Sequence, residues 1–198
     1  MGKKVFIAGD KPVASNFNLR DYTHIRAFHG CRPIDIASYQ EQGIIPITRP
    51  TARQEALLRL GGGSIPDSKI LAAFDRRWDK LNDVHKCVWF TLTCEELLNE
   101  CGHYMISGSE FLLALGTELW YQHKLREVGT PSLLHCDAPI KMIPSGYIDS
   151  MEEAIIDGRY SPCGFKITGA LAPEDIIKYE FPTRIPDPHD GYRVYRVQ

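Results

Sequence analysis

His29, Gly30 and Arg32 fall within "FHGCR" (28–32), where an apolar run gives way to a polar one. A polar side chain at an apolar strand end must find a hydrogen-bond partner or cost several kcal/mol. That partner is either another part of the protein or a ligand. Cys31 adds a thiol at a helix entrance beside Arg32, a setting that favours a thiolate nucleophile. A second cluster, His85, Cys87, Cys94, Cys101 and His103, holds the residue types of zinc chemistry, although it lacks the tight Cys-x-x-Cys knuckle. Cys87 also alternates on an apolar strand, where a thiol serves as a small hydrophobe. Gly61-Gly62-Gly63-Ser64 offers backbone N–H groups that could cradle phosphate. No strand leads into it and no Gly-Lys-Ser/Thr follows, so it is no P-loop and reads as a connector or a lid.

These residues need a scaffold, and the composition allows one. The 198 residues fit one domain (1–198), with 183–198 as a surface tail in which Tyr192 and Tyr195 dock. At 43% hydrophobic and 24% charged, the chain is in the globular range, not the disordered one. A net charge of −2 gives no global positive field for nucleic acid or anionic membrane. Arg49, Arg53 and Arg59 flank the glycine loop, either as a local basic groove or as an ordinary solvated face. "MGKKVFIAGD" has too short an apolar run for a signal-peptide core, and no stretch approaches a membrane span. The expected location is cytoplasmic, with the cysteines as thiols.

Strands are expected at 4–8, 23–28 and 86–93, then at 132–140, 164–169 and 175–181. Helices are expected after Pro33 up to Gly43, over 51–60, over 67–82 with Asp67 as cap, and over 94–101. A longer helix then carries Phe111, Leu112, Leu115, Leu119 and Trp120 on one face, and another lies near 149–157. Strands therefore bracket a helical middle without a βαβ rhythm: α+β, with a mixed or antiparallel sheet.

Two segments acquire meaning together. Phe28-His29-Gly30-Cys31, then Val88-Trp89-Phe90-Thr91, then Tyr104 on a helix, resemble the NAD-dependent ADP-ribosyltransferases of the diphtheria-toxin and poly-ADP-ribose-polymerase branch. Cys31 stands where that family has Thr or Ser. The close "LAPEDIIKYEFP" (171–182) is similar to the strand that ends its fold. The resemblance implies a split-sheet ADP-ribosyltransferase-like fold and NAD as substrate, with no metal. It implies that Gly30 pairs through its backbone with the nicotinamide carboxamide and that a side chain there would block the approach. Tyr104 would stack on the ring, and Trp89 or Phe90, beside Thr91, would wall the pocket. His29 would bond a ribose hydroxyl, and Arg32 would meet the pyrophosphate.

The family's catalytic glutamate precedes an aromatic residue at a late strand, but here that stretch reads Cys163-Gly164-Phe165-Lys166. Three readings follow. Glu110 supplies the acid, although six residues along one helix place it about 600° from Tyr104, roughly 240° past a whole turn. Alternatively Glu174 supplies it, or no acid is needed. Glu110 with Ser109 also suits a plain helix start. The expected function is mono-ADP-ribosyl transfer to an unknown acceptor (protein, nucleic acid or small molecule), in a setting like a bacterial toxin or phage-defence effector, with an inhibitory partner protein as a further expectation. The alternative is a non-catalytic NAD-, ADP-ribose- or protein-binding module.

Overall fold

The computed structural model describes residues 2–9, 13–162 and 164–197, without the side chains of Val84 and His85. Cys163 and the His85 imidazole, both invoked above, lie outside the described residues.

The chain forms a mixed α+β fold. Its main sheet has the order β1-β2-β4-β6, from β1 (Val5–Phe6), β2 (His24–Cys31), β4 (Ser132–Pro139) and β6 (Ile176–Glu180). β1 runs parallel to β2, and the other two pairings are antiparallel. A separate pair, β3 (Val88–Phe90) with β5 (Phe165–Ile167), touches the main sheet through one bridge, Phe28 to Thr91. Helices α1 (Ala37–Gln42), α2 (Arg49–Leu60), α3 (Asp67–Trp78), α4 (Cys94–Glu100), α5 (His103–Ser107) and α6 (Glu110–Glu118) fill the middle, and α7 (Ser145–Ile156) follows β4.

Alternation on β2 assigns its two faces. Ile25, Ala27 and Cys31 enter a core with Leu134, Cys136, Phe90, Phe165 and α7. The opposite face carries Phe28 and Gly30 toward a smaller core of Leu97, Met105, Ile106, Leu133 and Ile185. A third core joins α2, α3 and α6, where Phe74 stacks on Trp78 and Phe111 meets both edge-on.

Several local expectations change. Asp67 is the first residue of α3, with Pro66 in the cap position and no side-chain cap bond. The single helix expected after Gly102 is two helices, broken at Gly108, whose φ is +90°. Trp120 is not on a buried face. The helix has already ended, Tyr121 N–H donates to Gly116 C=O (2.7 Å), and Trp120 takes the left-handed turn position at φ 58°, with its side chain in solvent. Gly61–Gly63 link α2 to α3, and Tyr121 Oη accepts the Ser64 N–H at 3.0 Å. Arg59 is no solvated side chain: it is 2% exposed. The expected tail is a hairpin, β7 (Arg184–Asp187) with β8 (Arg193–Arg196), whose Ile185 is fully buried. Tyr192 does dock it, on Glu100 (3.0 Å), and Tyr195 lies over Arg32 and Arg126. No helix among the described residues is long and apolar enough to cross a membrane.

Candidate functional site

The site begins where β2 and β3 part. The Phe28 N–H and C=O bond Thr91 (3.0 and 2.9 Å), so they point away from β4. Backbone direction repeats every two residues, so the Gly30 N–H and C=O point the same way. The antiparallel register would place Trp89 opposite Gly30, but there the strands separate. The Trp89 carbonyl instead accepts a hydrogen bond from His29 Nδ1 at 2.8 Å. Gly30 is left with a donor and an acceptor aimed into the gap, and among the described residues neither has a partner. An unmet pair of backbone groups beside a cavity is a docking point for an amide.

Two cavities flank this point. The larger, about 720 Å³, is bordered by His29, Gly30, Trp89, Tyr104 and Glu110, and also by Ile45, Leu81, Arg77 and Lys80. The smaller, about 100 Å³, lies behind the same groups against Phe28, Phe90, Thr91 and Leu97. His29, Gly30, Trp89 and Tyr104 border both. Phe90 belongs mainly to the core, stacked on Phe165 at 5.7 Å, and Thr91 is 5% exposed with its hydroxyl on the Thr93 carbonyl.

A carbonyl can only accept, so His29 Nδ1 carries the proton and Nε2 is the acceptor in the neutral ring. Burial lowers the His29 pKa against that hydrogen bond, which keeps the ring neutral near pH 7. A side chain at Gly30 would crowd the neighbouring helices, apart from any effect on a ligand. A Cβ there would stand 3.1 Å from Leu97 Cδ1, 3.3 Å from Met105 Cγ and 3.5 Å from Tyr104 Cβ. The bare backbone lets α4 and α5 lie on β2 and brings Tyr104 to its edge.

Glu110 reaches Tyr104 despite the angle of a continuous helix. The left-handed Gly108 ends α5, Ser109 Oγ accepts from Leu112 N–H (3.1 Å) to start α6, and the chain turns back. The Tyr104 hydroxyl then donates to Glu110 Oε2 at 3.5 Å. Burial, with the Glu110 charge behind it, raises the Tyr104 pKa far above its ordinary value, so the phenol stays protonated. Glu174 is not part of this group: it lies exposed before β6, its carbonyl held by Lys3 Nζ (3.1 Å).

Arg32 requires a correction. It is 4% exposed, and its Nε, Nη1 and Nη2 donate to the carbonyls of Val128, Met105 and Arg126. Arg59 is spent similarly, on Val128 C=O, Arg32 C=O and Glu55. Together they clamp the end of β2 to the 126–128 turn. The donors expected on a pyrophosphate are used within the fold. Cys31 is a core thiol, pushed up to about 12 chiefly by burial, and no thiolate. Among the described residues no three His, Cys, Asp or Glu converge as a metal site, and burial pushes Cys94 and Cys101 to about 11.

No protein-family model, curated protein or solved structure matches the chain. The functional reading therefore rests on this geometry. Arg77, Lys80, Ile45 and Leu81 were not singled out from the sequence. Lys80 follows α3 directly and looks like any cation at a helix C-terminus.

Proposed function

We propose that the chain is an NAD-dependent mono-ADP-ribosyltransferase acting in the cleft between β2 and α5. The observation that carries this reading is Gly30: its unpaired N–H and C=O sit between Trp89 and Tyr104, with a carboxylate on the tyrosine hydroxyl. A carboxamide can accept from that N–H and donate to that C=O, while the two aromatic side chains wall the attached ring. Neutral His29 offers Nε2 to a ribose hydroxyl.

The chemistry follows from this placement. The bond between nicotinamide and C1′ of the ribose breaks, and its electron pair leaves with nicotinamide. Positive charge grows on the ribosyl group, where Glu110 stabilises it; a preorganised group of this kind contributes about 100- to 1,000-fold in rate. An acceptor nucleophile then forms a bond to C1′ and loses its proton. A held ring cannot rotate away from the reacting geometry, which supplies the positional part of the barrier reduction.

Nicotinamide release from NAD, with whole-cell lysate supplying acceptors, tests the reading. Tyr104→Ala and Glu110→Gln, each checked for folding by circular dichroism, should lose activity, Glu110→Gln by about 100-fold or more. A second reading, binding without transfer, draws on the start of β5, where Gly164 stands before Phe165 with no acid. NAD-dependent thermal stabilisation without nicotinamide release would select it. Neither stabilisation nor release would overturn both.

A further inference from the structure

The larger cleft is lined by charges of both signs, and its cations are unassigned. Its charged lining consists of Arg32, Glu55, Arg77, Lys80 and Glu110. Arg32 is committed to three carbonyls, and Glu55 is paired with Arg59 at 2.9 Å. Arg77 pairs with Glu118 at 2.6 Å, but Glu118 is shared with Arg76 at 2.8 Å, so that trio retains one positive charge. Lys80 has no carboxylate partner among the described residues. By the same count Arg49 with Asp75 and Asp79 (2.8 and 2.9 Å) retains one negative charge near Lys80 in sequence, but neither acid lines the cleft. Within the lining, Lys80 and Arg77 are cations with donors to spare for a ligand, Arg32 is a cation whose donors are used, and Glu110 is a carboxylate without a cation partner among the described residues.

We infer that Lys80, supported by Arg77, is the subsite for the phosphates of a nucleoside diphosphate, and that it takes the role Arg32 cannot fill. This deepens the proposed function and rests on it. The oxidised dinucleotide carries a cationic pyridinium at one end of its reactive half and an anionic pyrophosphate beyond the ribose. A cleft with a carboxylate beside its ring site and cations elsewhere in its lining offers a partner to each of those charges. Ile45, Ile47, Leu81 and Phe111 line the same cavity and give a flat base an apolar wall. Lys80 acts here as a point charge on a flexible stem, suited to phosphate oxygens without a fixed fork.

Titration calorimetry of the full chain with ADP-ribose, inorganic pyrophosphate and nicotinamide tests this, with Lys80→Ala, Lys80→Arg and Lys69→Ala beside the wild type. Lys69 is exposed on α3 and does not line the cleft. Lys80→Ala should weaken ADP-ribose by about ten-fold or more and leave nicotinamide binding unchanged. Lys80→Arg should retain most of the ADP-ribose affinity, and Lys69→Ala all of it. Equal ADP-ribose affinity in wild type and Lys80→Ala would overturn the subsite while leaving the transferase reading in place. Lys80-dependent pyrophosphate binding without any nicotinamide or ADP-ribose binding would keep the anion site and sink the NAD reading. Binding of none of the three probes by the wild type would overturn both.

Discussion

His103 precedes Tyr104 and is 9% exposed, its ring against Tyr104 at 4.2 Å and His189 at 4.6 Å, with a buried Nδ1 that has no hydrogen-bond partner among the described residues. Burial, then His189, lowers its pKa to about 4, against a raising effect of Glu110. An unfolded histidine titrates near pH 6.5, so between about 6.5 and 4 the unfolded chain holds the extra proton. Stability is therefore full above about pH 6.5 and falls as pH drops toward 4, by at most about 3 kcal/mol from this residue. His29 is shifted in the same direction and adds to the loss. Urea unfolding at pH 7.5 and pH 5.0 should show the wild type less stable in acid. His103→Phe should lose a smaller part of its stability over that interval, and an unchanged acid loss in the variant would acquit His103. His29 and Gly30 stand out in the sequence as polar and flexible positions at an apolar strand end, whereas Trp89 and Tyr104 enter through the family resemblance; the structure brings all four to one cavity. Arg32 misled because its donors are used by carbonyls more than 70 positions away, which no local pattern records.

The break between α5 and α6 is what makes a pair of Tyr104 and Glu110. At φ +90° a residue with a Cβ is strained, while the space at Gly108 is open enough, the nearest atoms being Arg59 Cζ and Leu112 Cδ1 at 3.4 Å. Gly108→Ala should therefore cost about 1–2 kcal/mol through backbone strain, not through a clash. Because relief of that strain rotates α6 relative to α5, nicotinamide release should fall further than thermal stability alone accounts for. Unchanged turnover with a lowered Tm would mean that Glu110 does not act through its place beside Tyr104. In sequence the Ser109 start signal is visible, but the helix stop at Gly108 is not recognised, because the longer helix is read from the apolar positions that follow it, Phe111 to Trp120.

At the scale of the whole chain, the C-terminal hairpin secures the helix that bears Tyr104. Ile185 joins Leu97, Met105 and Ile106 in the core beneath α4 and α5, and Asp187 pairs with Arg126 at 3.1 Å. A Cβ at Gly102 would stand 2.3 Å from the Pro186 carbonyl, so the hairpin lies directly on the start of α5. Ile185→Ala should cost about 2–5 kcal/mol. In hydrogen exchange, amides of α4 and α5 should lose more protection than those of α7, which packs in the other sheet-facing core. Uniform loss across all helices would show one cooperative unit without a privileged tie between hairpin and site.

The sequence by itself determined the α+β class, a strand at 23–28 that the structure extends to Cys31, the buried strand around Val88–Phe90, the helices α2 and α7 and the apolar stripe of α3. Those features follow from periodicity and turn residues within a few positions of one another, and such short-range terms are written in the chain. The tertiary structure alone decided which polar groups are spent and which remain. It buried Arg32 and Arg59 on carbonyls, kept the Cys31 thiol protonated in the core, split β3 from β2 beside Gly30 and left Lys80 without a carboxylate partner among the described residues. The reason is physical: a hydrogen bond or ion pair is a statement about two residues, and here the deciding partners lie tens of positions apart.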